Sequence, residues 1–491
     1  MKLAENQKVF KQLNIDDTLW NDIKKDDNKV LIIYGSNGRG KSTIKDLFQK
    51  EKLEKKQIKK RIIRKEFKNS NRKHSSELKI IGITGSRGKS TTALIIHNYL
   101  KDLGYKSTLY SSVMVDSPAS YLKKNEAYEV AVRDEAALIS IIEEVEAYGA
   151  DYLVLEVNES TLAKGFLKDV PFDIRVLTNL NPKHNLEQYS EKQYVELKKS
   201  FFKDVEDDCK CVIGFQDYDK ELLDELLKTN KYPKFICASN YVATLKGLEK
   251  EKVTCLLTGL NIDIIGMKLE FNLNGAINKI DTNLMMSYNA LNILTAVTTL
   301  EALDVFDVRK FEQTLNNIVI PGRAEVFREN GKLIVVDAHL PAMLDCLKML
   351  KEQGKVDKIK VVIGSMGHGY KHWDARFKTE EFALQRKEVR KYAMNLLKDV
   401  VDYVYITESD SGKENALDIC KELESYLDGK VPSTIIVNRE EAIEQAICES
   451  KEGEIVFISG RGNRRVLCNG ENTMKLLKDS DVVKKVLEQF K

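Results

Sequence analysis

The run Thr84-Gly-Ser-Arg-Gly-Lys-Ser-Thr91 constrains this chain more than any other feature. An apolar segment, Leu78-Lys-Ile-Ile-Gly-Ile83, leads into it, and the helical pattern Thr92-Ala-Leu-Ile-Ile-His-Asn-Tyr-Leu100 leads out. A strand that ends in glycines and restarts as a helix leaves unpaired backbone N–H groups at a helix N-terminus, where partial positive charge gathers. Phosphate oxygens settle in such a loop. Lys89 is spaced to reach β and γ phosphates, and the Ser90 hydroxyl to reach a divalent cation. The strict phosphate-loop pattern asks for glycine where Ile83 stands, so this loop is a variant.

A second run, Gly35-Ser-Asn-Gly-Arg-Gly-Lys-Ser42, satisfies the strict pattern after the apolar Val30-Leu-Ile-Ile-Tyr34. Its downstream flank, Ile44-Lys-Asp-Leu-Phe-Gln-Lys50, runs into a basic stretch from about Lys50 to His74, and no strand–helix–strand unit fits before residue 77. The Thr84–Thr91 loop is therefore the expected ATP site. The Gly35–Ser42 loop either holds another phosphate group or is a turn without a ligand. The basic stretch carries a single aromatic, Phe67, and it reads as a solvated helix face or linker.

Downstream, strands alternate with helices. Tyr152–Val157 and Ile174–Thr178 read as strands, with a helix over Ala136–Tyr148. After Pro321-Gly322 the alternation resumes: strands at Leu333–Val336, Ile359–Ile363, Tyr403–Ile406, Ser433–Val437 and Ile455–Ile458, with helices over Ala342–Glu352, Glu381–Lys398, Ala416–Leu427 and Glu440–Cys448. Such alternation builds parallel sheets wrapped by helices, the α/β class. The chain's 491 residues then divide into a small N-terminal domain (1–77), a central ATP-binding domain (78–322) and a C-terminal Rossmann-like domain (323–491).

Lys+Arg 78 against Asp+Glu 75 leaves a net charge of +3, which excludes a polyelectrolyte seeking nucleic acid. No apolar h-region opens the chain and no run suits a membrane span, so a cytoplasmic protein without a transmembrane anchor is expected. The eight cysteines are scattered and read as free thiols of a reducing compartment.

From the Thr84–Thr91 loop onward, further motifs fall in a set order. Leu155-Glu-Val-Asn-Glu-Ser160 resembles a strand end Glu-Val-Ser-Ser, and Thr178-Asn-Leu with His184 resembles Thr-Asn-Leu…His. Tyr194 to Phe202 fits Tyr-x-x-x-Lys-x-x-x-Phe, and Ser287-Tyr-Asn-Ala-Leu-Asn292 resembles a Tyr-Asn-Ala-Leu helix. Pro321-Gly-Arg-Ala-Glu325 and Val336-Asp-Ala-His-Leu-Pro341 resemble Pro-Gly-Arg-x-Glu and Val-Asp-Tyr-Ala-His-x-Pro, the latter short by one residue. In this order the motifs resemble the Mur ligases, and MurE-like enzymes in particular, from about Leu78 to the end.

The resemblance implies a three-domain architecture and an ATP-dependent amide ligase of acid and amino acid. The γ-phosphoryl of ATP passes to a carboxylate, and an amine displaces phosphate from the acyl-phosphate. The implied nucleotide contacts are Thr84, Gly85, Ser86, Arg87, Gly88, Lys89, Ser90 and Thr91, with Asn289, Arg323, Asp337 and His339. Ser90, Glu156, His184 and Lys198 are the implied ligands of two Mg²⁺ ions, and Lys198 matches a lysine that carries a carbamate in this family. Catalysis would rest on Lys89, Glu156, His184 and Lys198. The implied partners of a monomer are a UDP-linked peptide or glycopeptide acceptor and a free amino acid, with Ser36, Asn37, Lys413, Arg461 and Arg464 as candidate substrate contacts.

Departures cluster where substrates bind. Asp-Asn-Pro-Arg of the diaminopimelate enzymes is replaced within Thr407-Glu-Ser-Asp-Ser-Gly-Lys-Glu414, and Gly-Lys-Gly-His-Glu becomes Gly460-Arg-Gly-Asn-Arg464. Met286 stands where many relatives have an adenine-contacting asparagine. The added amino acid therefore need not be diaminopimelate, and the archaeal pseudomurein branch suits so lysine-rich a chain. Two alternatives remain beside a cell-wall peptide ligase: a poly-γ-glutamate or cyanophycin type enzyme, and a non-catalytic Mur-like nucleotide-binding subunit. A kinase using the Gly35–Ser42 loop is a third.

Overall fold

The computed structural model describes most of residues 78–490, leaving out 118–134, 182–188, 216–233, 239–252, 369–379 and some single positions and pairs. Residues 1–77, with Ser36, Asn37 and the Gly35–Ser42 loop, lie outside the described residues, as do His184 and His339.

Two sheets organise the described chain. The first runs β10-β9-β8-β7-β6-β5-β1-β4-β2-β3. Its centre is β1 (Lys79–Thr84), paired in parallel with β4 (Tyr152–Glu156) on one side and β5 (Ile174–Leu177) on the other. Ile80, Ile81 and Ile83 are fully buried, as both faces of a parallel sheet require. Beyond β5 lie β6 (Lys210–Phe215) and β7 (Lys234–Ala238), and beyond β4 lie β2 (Ser107–Tyr110) and the short antiparallel β3 (Val115–Asp116). Helix α1 (Lys89–Asp102) leaves the end of β1. The sheet is also flanked by α2 (Glu135–Ala147), α3 (Glu159–Lys164) and α4 (Glu191–Ser200).

The sheet extends further than the alternating pattern predicts. Strands β8 (Cys255–Asp263), β9 (Gly266–Leu273) and β10 (Ala276–Thr282) form an antiparallel extension of its edge. The β9–β10 turn is Asn274-Gly275, both at positive φ (49° and 92°), the backbone of a two-residue hairpin. That dipeptide was the available signal. Helix α5 (Tyr288–Ala302) then returns through the core, and α6 (Val308–Asn317) closes the layer. Thr295, Thr298 and Thr299 are fully buried in α5, and each donates to the carbonyl four residues back at 2.7 Å.

The second sheet runs β11-β12-β16-β13-β14-β15. Strands β12 (Lys332–Asp337), β16 (Glu454–Ser459), β13 (Lys358–Ile363), β14 (Tyr403–Ile406) and β15 (Ser433–Ile435) are parallel, and β11 (Glu325–Glu329) is antiparallel at the edge. Helices α7 (Leu340–Glu352), α8 (Glu380–Leu397), α9 (Ala416–Ser425), α10 (Arg439–Cys448) and α11 (Asp479–Glu488) accompany it, with a hairpin of β17 (Val466–Asn469) and β18 (Asn472–Lys475). This is the Rossmann-like order expected after Pro321. No helix among the described residues is long and apolar enough to cross a membrane. All eight cysteines are free thiols, six of them buried.

Candidate active site

The phosphate loop joins the C-terminal end of central β1 to α1, the position at which open α/β sheets bind ligands. Gly88 caps α1 at φ 78°, a left-handed conformation that favours glycine, and a Cβ there would lie 1.9 Å from Asn292 Oδ1. Asn179, after β5, grips the loop from the other side: its Oδ1 accepts from Arg87 N at 3.1 Å and its Nδ2 donates to Arg87 O at 3.0 Å. The Ser86 N–H donates to Asn179 O at 3.0 Å, and Ser86 Oγ lies 3.0 Å from the Tyr194 hydroxyl oxygen. Lys89 folds back so that Nζ donates to Gly85 O at 2.9 Å. Thr84 and Thr91 are buried within the same turn.

Glu156 ends β4 beside that loop. Its Oε2 accepts from Ser90 Oγ at 2.9 Å and from Ser112 N at 2.8 Å, and its Oε1 accepts from Ser112 Oγ at 3.2 Å. Two residues on, Asn158 caps α3 by accepting from Thr161 N at 2.9 Å, which places Glu159 in the first helical turn. Glu159 Oε1 lies 2.7 Å from Lys198 Nζ and 3.7 Å from Lys89 Nζ.

Lys198 reaches this point because α4 begins where Ser190 and Gln193 form a capping box. Tyr194 and Lys198, four apart, are the buried residues of that helix. Lys198 is 1% exposed and also donates to Thr84 Oγ1 at 3.0 Å. Burial pushes its pKa down to about 7, Lys89 adds to the depression, and Glu159 opposes it. Burial raises the Glu159 carboxyl, but Lys89 and Lys198 outweigh it and hold the group down at about 2. Burial, then the Glu159 charge, raises the Tyr194 phenol far above its ordinary range.

The residues fit a hard divalent cation. Ser90, Ser112 and Glu156 present oxygens beside Lys89 and a helix N-terminus. Among the described residues no group of three His, Cys, Asp or Glu side chains gathers. One or two carboxylates with hydroxyl and phosphate oxygens are what Mg²⁺ takes, rather than an all-protein cage.

Other expected contacts are placed differently. Asn289 is turned into its own helix: Nδ2 donates to Met285 O at 2.7 Å, and Oδ1 accepts from Asn292 at 3.0 Å. Met286 is buried at φ 78° under the start of α5. Asp337 ends β12 and accepts from Tyr288 Oη at 3.0 Å and from Ala324 N at 2.8 Å, pinning the connection between the two sheets. Arg323 is half-buried on that connection. Buried Arg461 and half-exposed Arg464 both donate to Asp410, each at 3.0 Å, and Lys413 is exposed in the following turn. Asn463 reaches across to the first sheet, donating to Val113 O at 2.7 Å. The sequence assigned no role to Glu159, Ser112, Asn179 or Asp410. Glu159 and Asn179 stand inside quoted motifs and Asp410 inside a quoted departure, while Ser112 left no signal.

A lysine, a hydroxyl and two carboxylates gathered at a phosphate loop, with a second α/β layer hydrogen-bonded alongside, define a nucleotide-dependent enzyme built across two domains. The Mur ligase middle domain matches residues 83–300, and the Mur ligase glutamate ligase domain matches residues 322–462. The UDP-N-acetylmuramyl-tripeptide synthetase of Borreliella afzelii (strain PKo) is 24% identical over 420 residues, 82% of this chain and 77% of that protein. The UDP-N-acetylmuramoyl-L-alanyl-D-glutamate–2,6-diaminopimelate ligase of Clostridium perfringens (strain 13 / Type A) is 26% identical over 415 residues, 83% of this chain and 76% of that one. Among solved structures, a diaminopimelate ligase of the same description superposes with a TM-score of 0.56 at 19% identity, covering 84% of this chain and 79% of that one. MurF ligase from Thermotoga maritima in complex with ADP gives 0.55 at 18% identity, covering 84% and 81%. The chain belongs to the Mur ligase family. It is an ATP-dependent amide ligase.

Proposed function

We propose that this ligase works in the cytoplasm as a monomer and adds an amino acid to a UDP-linked peptide precursor of a cell-wall polymer, peptidoglycan or pseudomurein. Residues 1–77 would bind the UDP-linked acceptor, 78–322 ATP, and 323–491 the amino acid. The observation that carries this reading is the convergence of Lys89, Ser90, Glu156 and Lys198 on one loop, from elements as far apart in the chain as α1 and α4.

The loop amides and Lys89 would hold the triphosphate, positioning being the larger part of catalysis in phosphoryl transfer. Ser90 and Glu156 would hold Mg²⁺, joined by His184. When bound, that ion supplies charge neutralisation at the phosphate oxygens. The acceptor carboxylate takes the γ-phosphoryl, and the amine of the amino acid then displaces phosphate from the acyl carbon. Arg323, Asp337 and His339 would complete the nucleotide site from the second layer. Lys413 and Arg464 would face the substrates, with buried Arg461 holding Asp410 behind them, and closure of the two layers would exclude water from the acyl-phosphate.

Phosphate release with panels of UDP-linked peptides and amino acids tests the proposal. Release that requires both a carboxylate acceptor and an amine is the expected result. Equal ATP turnover with neither present would overturn it.

A further inference from the structure

The hydrogen bond from Asn463 to Val113 joins residues 350 positions apart and spans the two layers. On one side stands the turn Gly460–Arg464, which follows β16. Close backbone approaches fix its course: a Cβ added at Gly322 would lie 2.4 Å from Asn463 N, and one added at Gly462 would lie 2.8 Å from Gly322 O. On the other side stands the loop Ser111–Met114, which joins β2 to β3 beyond the Tyr110–Val115 pair. That loop is closed on itself, with Ser111 N donating to Met114 O at 3.0 Å and Met114 N donating to Ser111 Oγ at 3.2 Å.

The loop has two engagements. Ser112 donates to both oxygens of Glu156, from N at 2.8 Å and from Oγ at 3.2 Å, and its Oγ lies 2.9 Å from Ser90 Oγ. The next residue, Val113, offers its carbonyl to Asn463 Nδ2 at 2.7 Å. Neighbouring residues of one closed loop thus hold the carboxylate of the first layer and the amide of the second. The orientation of that amide is not free. Turning it over would set Oδ1 against the Val113 carbonyl, two acceptors face to face. As it stands, Oδ1 is buried without a hydrogen-bond donor, an uncommon and unfavourable state for an amide oxygen. The fold keeps the bond to Val113 although the other end of the same group goes unsatisfied.

We propose that Asn463 is a positioning residue for Glu156, acting through Ser111–Met114, so that the divalent-cation site of the first layer reaches full affinity only with the turn of the second layer against it. The inference rests on the nucleotide-site reading above. Arg464 and its partner Asp410 belong to the same turn region, so an amino acid that steadies this turn tightens the cation, and the cation tightens the amino acid by the same factor. Activation of the acceptor is thereby tied to the layer that brings the amine.

Mn²⁺ binding by electron paramagnetic resonance in the presence of AMP-PCP tests it, with AMP-PCP affinity measured separately in EDTA. Asn463→Leu keeps the size of the side chain and removes the donor; Asn463→Ala removes the donor without any clash. Partners that orient a metal-holding carboxylate contribute about 10–100-fold to metal affinity, and a residue at one remove should contribute about tenfold. Mn²⁺ should therefore weaken about that much in both variants, with AMP-PCP affinity in EDTA unchanged. Asn463→His, which sets a ring N–H where Nδ2 stood, should recover most of the loss. In a Glu156→Gln background the Asn463 variants should cost nothing further. Lys355→Ala breaks a different bridge between the layers, Nζ to Ile262 O at 2.8 Å, and should leave Mn²⁺ affinity as it was. Undiminished Mn²⁺ binding in both Asn463 variants, an equal loss in the Glu156→Gln background, or an equal loss in Lys355→Ala overturns this inference alone. Wild type that holds no Mn²⁺ with AMP-PCP, or undiminished Mn²⁺ binding in Glu156→Gln, overturns the nucleotide-site reading, and the inference falls with it.

Discussion

Gly88→Ala isolates the physical demand that the phosphate loop makes on the fold. Gly88 has φ 78° at the cap of α1, and an added Cβ would lie 1.9 Å from Asn292 Oδ1 and 2.8 Å from its Cγ. Placing alanine in the left-handed region costs about 1–2 kcal/mol. Relieving the clash must also swing the Asn292 amide away from Asn289, breaking a 3.0 Å bond between two side chains that are 2% and 1% exposed. Leaving those groups unsatisfied costs a further 1–3 kcal/mol, roughly. The sum is about 2–5 kcal/mol, read as a fall in the urea midpoint by far-UV circular dichroism. Asn292→Ala in the same background clears the space, so the double variant should be less destabilised than the two single costs added, by about 1–3 kcal/mol. ADP affinity should fall in Gly88→Ala, since loop amides can no longer face one anion. A loss under about 1 kcal/mol, or strict additivity of the pair, would refute the steric reasoning.

Lys89→Ala should lower ligase turnover by about 10²–10³-fold, while Lys41→Ala leaves ATP hydrolysis in place; the reverse pattern would favour a kinase using the other loop. Glu159 is held at about 2 against an ordinary value of 4.5, so its contribution to stability is fully present above pH 4.5 and lost as the pH falls toward 2. The loss should reach roughly 3 kcal/mol, and urea titrations of Glu159→Gln should lack that acid-side slope. Arg439 and Asp479 form a buried two-point pair at 2.8 and 2.9 Å, and Asp479 also holds Gly462 N at 3.1 Å. Arg439→Met should cost about 3–5 kcal/mol, with amino-acid KM rising because the turn bearing Arg461 loosens. Chelation by EDTA should stop turnover and added Mn²⁺ restore it; activity that persists in EDTA would count against the metal reading.

The parts legible in the sequence are those written in neighbouring residues. Glycines between an apolar run and a helical run located the phosphate loop, and the alternation of short apolar strands with helices gave the parallel strands of the second sheet, and β1, β4 and β5 of the first, within a residue or two, while β2, β6 and β7 went unread. What stayed hidden depends on distant pairings. Ser112 reaches Glu156 across 44 positions and Lys198 reaches Thr84 across 114, separations at which no periodicity carries information. Glu159 offered a sufficient local explanation, an acid favoured in the first turn of a helix, which concealed its two lysine neighbours. Asn289 shows the opposite error. An asparagine in a motif suggested a ligand contact, yet its amide is spent on the helix that carries it.

The capping box that starts α4 works as a ruler. Lys198 faces inward only because it stands a fixed number of residues after Ser190, and each residue of an α-helix advances the side chains by about 100°. One residue inserted between the cap and the lysine would turn that ammonium out toward solvent and bring a neighbour into its place. Exchange of the outward-facing residues of this segment is tolerable, whereas any change in its length is not.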